Sequence, residues 1–481
     1  MKRLLPVTAL LTLATVTFGA DAATPASPPA RATNPRPNII YILADDLGYG
    51  DLGCYGQKTL KTPHIDRLAA EGMRFTQHYS GSTVCGPSRS CLMEGVHTGH
   101  AAVRGNGPGQ LLRAADTVLP EALKAVGYTT GIVGKWGVGE PPPPDDPNRH
   151  GFDHAFGYVN MFHAHNFFPE FLIRNGVKEP LPGNVTDHTL GFDNMPEGTG
   201  VAKTKVTYAP LVLERDALTF IENNRGHPFF LYYALNLPHN NGEAAKAFGD
   251  GCEVPDHGEF ANREWAGVEK GFARQMQYVD DTVGRVMSKL KELGLDENTL
   301  VVFSSDNGPY GGGNHNHEFF DSNGTLRGLK RDLYEGGIRV PFIVRWPGKI
   351  KPASTSGHIS AMWDLYPTFC DIAGTRAPSG IDGISFLPTL TGQGKQIHHD
   401  YLYWEFYEGV GSQAVRQGDW KAVLLNLNND RPEKFELYNL ATDPGETRDV
   451  SAQHSEVARR LRNIMEEAHT PHPTVSFSKI P

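Results

Sequence analysis

The chain has 481 residues and a formal net charge of −9. That length allows a large α/β core with a smaller second unit. The acidic balance, without any basic block, excludes a nucleic-acid partner.

The opening MKRLLPVTALLTLATVTFGADAA joins a basic pair, Lys2 and Arg3, to an apolar stretch from Leu4 to Phe18. Ala20-Asp21-Ala22 then fits the small-x-small cleavage rule. Residues 1–22 are expected to be a secretory signal peptide, and residues 23–36 a Pro/Ala/Thr linker. No later stretch is long and apolar enough for a transmembrane anchor. The expected location is therefore exported, either periplasmic or secreted. There are five cysteines, Cys54, Cys85, Cys91, Cys252 and Cys370. An odd count in an oxidising compartment leaves at least one without a partner in the chain.

Short β-rich runs alternate with helical patterns from there on, as in a sheet with crossover helices. NIIYILA (Asn38–Ala44) reads as a buried strand, and TPHIDRLAAEG as a helix with a Thr62 cap and Pro63 at its first position. In TVCGPSRSCLMEG, Pro87 suits a first helical turn and Gly95 a stop, which places Cys85 at a helix N-terminus. Further strands are expected over Tyr128–Val133, Pro228–Leu235, Thr299–Ser305 and Arg339–Trp346. Between Ala273 and Leu293, Met276, Val279, Val283, Val286, Leu290 and Leu293 form one apolar helical stripe. Pro141–Asn148 and Asn184–Thr204 read as long polar loops facing substrate. After Ile384 the texture changes to three β-rich segments and a final helix. The expected division is a catalytic domain over 37–383 and a C-terminal antiparallel α+β subdomain over 384–481.

Four strand runs stop at polar groups: Asp45-Asp46, Gly134-Lys135-Trp136, Pro238-His239 and Asp306-Asn307-Gly308. Any one of them could be ordinary turn chemistry. Four at one sheet edge point to a ligand site, because ligands of open α/β sheets gather beyond the carboxyl ends of strands. Asp45, Asp46, Asp306 and Asn307 offer hard oxygens, which suit Ca²⁺, with Mg²⁺ as the alternative. Three carboxylates around a divalent ion leave a surplus negative charge. Arg89, Lys135 and Lys330 reverse it, so the pocket attracts an anion. At a helix N-terminus Cys85 could be a nucleophilic thiol of lowered pKa, but an oxygen nucleophile suits a hard cation better.

These residues resemble the type I sulfatase family of the alkaline-phosphatase-like superfamily, in particular its bacterial arylsulfatase and carbohydrate sulfatase members. The carriers are Cys85-Gly86-Pro87-Ser88-Arg89, Asp45-Asp46, Gly134-Lys135-Trp136, Asp306-Asn307-Gly308 and the segment from Gly324 to Pro341. The resemblance implies a large mixed sheet sandwiched by helices, with a smaller C-terminal subdomain. It implies that Cys85 is oxidised to Cα-formylglycine, by a formylglycine-generating enzyme or an anaerobic sulfatase-maturating enzyme. One hydroxyl of the hydrated aldehyde then binds the metal and attacks sulfur. A covalent sulfo-enzyme forms, and sulfate leaves as the aldehyde re-forms. Metal ligands would be Asp45, Asp46, residue 85, Asp306 and Asn307. Lys135 and Lys330 would stabilise charge at sulfur, Arg89 would hold the hydrate, and His239 would lie near the leaving oxygen. Cys91 reads as buried packing.

Many members carry a histidine where this chain has Gly137. The leaving-group proton must then come from His239, from His163 or His165, or from a lysine, and His239 is expected first. His163 and His165 alternate in MFHAHNFFPEF, so an extended segment would turn both to one side. Together with Gly-Lys-Trp-Gly they resemble sulfatases acting on sulfated galactose-type sugars. His315 and His317 are further candidates for the sugar pocket. Two other readings are a phosphonate or phosphodiester hydrolase of the same superfamily and a non-catalytic glycan-binding relic.

Overall fold

Asn38–Ala44 is buried at every position, and its alternating side chains enter two different cores. Ile40, Ile42 and Ala44 face one side of the sheet, while Ile39, Tyr41 and Leu43 face the other. A strand with helices over both faces has no polar side, which is why it reads as an unbroken apolar run. The computed structural model describes Met1 and residues 36–107, 109–139, 146–190 and 196–480. The signal peptide beyond Met1 and the linker up to residue 35 lie outside the described residues. Among the described residues, no helix is long and apolar enough to cross a membrane.

The main sheet has ten strands among the described residues. They lie in the order Ser354–Ser356, Met73–Phe75, Phe342–Arg345, Thr299–Ser305, Asn38–Ala44, Phe229–Ala234, Thr129–Lys135, His154–Tyr158, Phe171–Arg174 and Val177–Pro180. The five strands from Thr299–Ser305 to His154–Tyr158 are parallel, and the neighbours on both flanks run antiparallel. Four of the parallel strands are those expected to stop at polar groups, so the four polar ends do fall on one edge. The strand expected from Arg339 begins only at Phe342, because Pro341 has no N–H to give to a ladder.

One face of the sheet is covered by the helices Pro63–Ala70, Ala209–Asn223 and Gly267–Glu292. The long helix inserts Met276, Val279, Val283, Val286 and Leu290, as its stripe requires. The other face carries Cys85–Glu94, Leu119–Lys124 and Leu365–Ala373. Thr62 occupies the cap position of the first helix but makes no cap hydrogen bond. Its hydroxyl accepts from Gly53 N and donates to Asp66 instead. Between Asn184 and Thr204 the chain is not simply a loop. Val185–Asp187 pairs antiparallel with Val201–Thr204, and residues 191–195 lie outside the described residues. Residues 141–145 do so as well, and Pro147–His150 forms a 3₁₀ turn.

After Phe386 and Leu390, which still pack in the main core, four antiparallel strands form a second sheet. They are Leu402–Phe406, Ser412–Gln417, Trp420–Leu425 and Lys434–Asn439. One face, with Trp404, Ala414 and Val423, packs on Tyr79, Val84, Cys91 and Trp363. The opposite face, with Tyr403, Val415 and Leu437, is covered by Leu461 and Met465 of the helix Ser455–Ala468. Lys421 adds a polar tie. It bonds Glu335 at 3.0 Å and lies 2.9 Å from Glu446, and all three are buried. Burial opposes the charge on Glu335, but Lys421 and two arginines bring it down to about 2, whereas burial pushes Glu446 up to about 7. Lys421→Met would strand two buried carboxyls without their shared cation. Removing one partner of a buried pair costs about 3–5 kcal/mol, so urea denaturation should show a loss of that size.

Candidate active site

The helix Cys85–Glu94 starts at Cys85 and stops at Gly95, whose φ of 72° is left-handed and accommodates glycine without strain. Its first turn faces the ends of the parallel strands. Arg89, fully buried, reaches from the helix to two of them. Its Nη2 and Nε donate to Asp306 at 2.8 and 3.2 Å, and its Nη1 donates to the Lys135 carbonyl at 2.6 Å. Lys135 Nζ in turn donates to Asp45 at 2.7 Å. Lys330, from the loop after the Gly308 turn, lies 2.8 Å from Asp46 and 3.3 Å from both the Cys85 sulfur and His239 Nε2. The Cys85 sulfur is 3.4 Å from Asp45 and 3.9 Å from Asp46. Asp45, Asp46, Cys85, Arg89, Lys135, His239, Asp306, Asn307 and Lys330 thus form one buried cluster.

The electrostatics follow from this crowding. Burial works against ionising Asp45, yet Lys135, His239 and Arg89 together hold its carboxyl well below the usual range. Burial and the Asp45 charge push Asp306 up to about 7. Burial, then Asp45, pushes the Cys85 thiol far above its ordinary value. That direction runs against the reading of residue 85 as a thiol of lowered pKa. Burial disfavours the Lys135 ammonium, but Asp45 more than restores it.

Asp45-Asp46 and Asp306-Asn307 stand at two adjacent strand ends, tied by a hydrogen bond from Asp46 N to Asp306 at 3.1 Å. The Asn307 amide nitrogen donates to Asp46 at 2.8 Å, and its Oδ1 is buried without a hydrogen-bond partner. An orphaned amide oxygen among three carboxylates is a donor set that fits a hard cation. Among the described residues, the His, Cys and carboxylate atoms at this edge that lie close enough together to share one metal are those of Asp45, Asp46, Cys85 and His239.

His239 Nδ1 lies 2.5 Å from the Asn240 carbonyl, so Nδ1 carries the proton. Its Nε2 faces Lys330 and is 3.3 Å from Asp46. The other histidines separate. The extended segment expected around His163 and His165 is a 3₁₀ turn instead, so the two rings diverge. His165 reaches the cavity and stacks on His239 at 4.6 Å. His163 turns into the core against Tyr158 and Phe171, and burial lowers it to about 4. His315 lies behind the cluster, bonded to Glu269 at 2.7 Å and stacked on Phe272. His317 lies beside Gly311. The structure brings neither His163, His315 nor His317 to the main cavity wall.

That cavity, of about 950 Å³, opens on Cys85, His165, His239 and Lys330. Its outer wall comes from Arg331, beside Lys330, and from segments to which the sequence assigned no role: Asn106, Glu243, Tyr310, Tyr407 and residues 474–476. Arg331 bonds Glu408 at 2.7 Å, and Glu408 accepts from Asn106 N at 3.2 Å. Asn106 Oδ1 accepts from Gly86 N at 2.9 Å, so the small sheet is tied to the start of the Cys85 helix. These residues lie far apart in sequence, Glu243 in the helix Gly242–Phe248 and the others outside helices and strands.

All five cysteines are unpaired. Cys91 is fully buried, its sulfur 3.5 Å from the Gly81 carbonyl.

A carboxylate–ammonium–guanidinium cluster at the carboxyl edge of a mixed sheet, with a second small sheet closing the cavity, defines a hydrolase of the alkaline-phosphatase-like superfamily. The chain belongs to the sulfatase family, whose model, Sulfatase, matches residues 37–375. Residues 316–470 also match the model described as N-sulphoglucosamine sulphohydrolase, C-terminal. The chain is 35% identical to the N-acetylgalactosamine-6-sulfatase of Rattus norvegicus over 82% of this chain and 73% of that one. It is 30% identical to the N-acetylgalactosamine-6-O-sulfatase of Bacteroides thetaiotaomicron over 90% and 93%. The structure of Ps i-CgsB in complex with k-i-k-neocarrahexaose superposes with a TM-score of 0.74, at 28% identity over 90% of this chain and 92% of that one.

Gly137 explains its own departure from the family. Its φ is +77°, and a Cβ there would lie 3.1 Å from Cδ of Arg89. A histidine would be strained and would press on the residue that holds the strand ends together. Gly137→His should therefore cost about 1–3 kcal/mol. It should lower nitrophenyl sulfate turnover rather than raise it, as thermal unfolding and initial rates will show.

Proposed function

We propose that this sulfatase removes sulfate from a sulfated sugar of the galactose or N-acetylgalactosamine type. The observation that carries the reading is the placement of residue 85 at the floor of a cavity far larger than a sulfate ion. Aromatic side chains, Phe162, Tyr310 and Tyr407, line that cavity, and their faces suit sugar rings. The names of the N-acetylgalactosamine sulfatases above support the sugar class.

Residue 85 acts as Cα-formylglycine. An un-ionised buried thiol is a poor nucleophile among carboxylates, whereas an oxygen on the same carbon suits a hard-cation site. The hydrate of that aldehyde would supply an oxygen nucleophile able to take up the sulfuryl group. A Ca²⁺ ion, with Mg²⁺ as the alternative, would be held by Asp45, Asp46, Asp306, Asn307 and residue 85, and would supply positive charge to the nucleophile and sulfuryl oxygens.

The chain's own residues do the rest. Lys330 stands between Cys85 and His239, where it can donate to a sulfuryl oxygen. Lys135, locked to Asp45, adds a second fixed cation. Arg89 keeps Asp306 and the Lys135 strand end in place without facing the cavity. Maturation requires a formylglycine-generating or sulfatase-maturating partner on the export route indicated by residues 1–22. The 37–383 and 384–481 division describes a catalytic domain with a subdomain that walls the cavity.

Peptide mass spectrometry of protein from its native host should show an aldehyde at residue 85, and Cys85→Ala should abolish turnover. Active enzyme with a fully retained thiol would refute the assignment. Metal analysis should give one calcium per chain, and two tightly bound zinc ions would contradict it. Sulfate release from a panel of defined saccharides, set against phosphate mono- and diesters, tests the substrate class. Preference for the phosphate esters would favour the phosphonate or phosphodiester hydrolase reading.

A further inference from the structure

The cavity is charged unevenly along its length. At its floor the Lys330 ammonium stands 3.3 Å from the Cys85 sulfur, where the sulfuryl group belongs in the reading above. Arg331 follows Lys330 in the chain but stands farther out. Its side chain is 46% exposed, against 9% for Lys330. Beyond the floor, the wall residues among those described that can carry charge are Arg331, Glu408, Glu243 and His165. They form two pairs. Arg331 Nη1 lies 2.7 Å from Oε2 of Glu408, and His165 Nδ1 lies 3.7 Å from Oε2 of Glu243. The first pair is neutral. The second is neutral or negative, whichever form the ring takes. Past Lys330, the described wall therefore has no net positive charge with which to meet a second anion.

The outer pair is held from both ends. Glu408 also accepts from Asn106 N at 3.2 Å, and Arg331 N donates to the Thr83 carbonyl and hydroxyl at 3.0 and 2.9 Å. Arg331 has a left-handed φ of 81°, which costs a non-glycine residue free energy and is met at functional sites. Glycine would relieve that strain. What arginine adds is the side chain that reaches Glu408 and lies 5.4 Å from the Phe406 ring. Nearby, Asn106, Gln110, Thr474 and Ser476 line the cavity with uncharged hydrogen-bonding groups.

Resting on the sugar-sulfatase reading, we infer that the outer cavity takes a second, uncharged sugar unit, and that Glu408 is the specificity residue that excludes an anionic one. A neutral hexose or N-acetylhexosamine can donate hydroxyls to Glu408 and accept from Arg331, since a carboxylate only accepts and a guanidinium only donates. A uronic acid or a second sulfate ester would bring its charge against Glu408 and find the Arg331 guanidinium already paired. The substrate class is a sulfated sugar with a neutral neighbour, rather than one alternating with uronic acids.

The test uses three disaccharides that share one sulfated galactose or N-acetylgalactosamine. The partner sugar is neutral, a uronic acid, or a neutral sugar bearing a second sulfate. In kcat/KM the wild type should favour the neutral partner about tenfold, the size expected of a like-charge contact in a partly open site. The preference should shrink as salt rises from about 0.02 M to about 0.2 M, because exposed charges are screened. Glu408→Gln keeps an oxygen for Asn106 N, removes the charge and releases Arg331. It should abolish or reverse the preference, mainly by lowering KM for the anionic disaccharides. Thermal unfolding reports whether that variant is folded, and the wild-type panel stands without it. Equal kcat/KM on all three in the wild type would overturn this inference alone, as would a preference for an anionic partner or activity confined to the sulfated monosaccharide. A folded Glu408→Gln variant with the wild-type preference unchanged would overturn it too. A wild type that cleaves nitrophenyl sulfate but no sulfated saccharide would overturn the sugar reading, and this inference with it.

Discussion

The site depends on the fork of Arg89. A planar guanidinium can bond a carboxylate through two nitrogens and keep a third for a carbonyl, and here it does both inside the protein. In this way it fixes three elements at once: the helix that carries Cys85, the Asp306 strand end and the Lys135 strand end. Asp306 also accepts from Asp46 N at 3.1 Å, which holds Asp46 at a positive φ of 62°. The two strand ends that carry Asp45-Asp46 and Asp306-Asn307 are therefore locked to each other and to the helix that begins at Cys85. An ion pair this deeply buried adds little net stability by itself. Its value lies in geometry, since a lysine could not span the same partners.

The separation of charge around this fork explains how an acidic protein can handle an anionic ester. Asp45 and Asp46 each face a lysine, and Asp306 faces the arginine. The lysines differ in what else they touch. Lys135 is sealed in, while Lys330 borders the cavity beside Cys85 and His239. One cation thus lies behind the pocket, and the other borders it.

Much of this was legible in the sequence because parallel strands buried on both faces read as apolar runs, and charges where they stop are conspicuous. Asp45-Asp46, Lys135, His239 and Asp306-Asn307 were found that way, and the sheet places them on one edge. The helix start at Cys85 followed from Pro87 and Gly95. The histidines were harder, because alternation along the chain sorts side chains only on an extended backbone, and residues 163–165 turn instead. Glu243 and residues 474–476 left no local signal. Each reaches the cavity through long-range packing that no periodicity encodes. Gly137 was visible as an absence, but its left-handed backbone and the nearness of Arg89 were not.

The wall of the cavity also has a place in the order of synthesis. Residue 85 leaves the ribosome early, yet in the finished fold it is 1% exposed. What shuts it in comes much later along the chain: Lys330 and Arg331, then the Tyr407–Glu408 strand end, then residues 474–476. For most of translation the Cys-Gly-Pro-Ser-Arg segment is without these walls. Once the small sheet docks, residue 85 is shut in at the floor of the cavity.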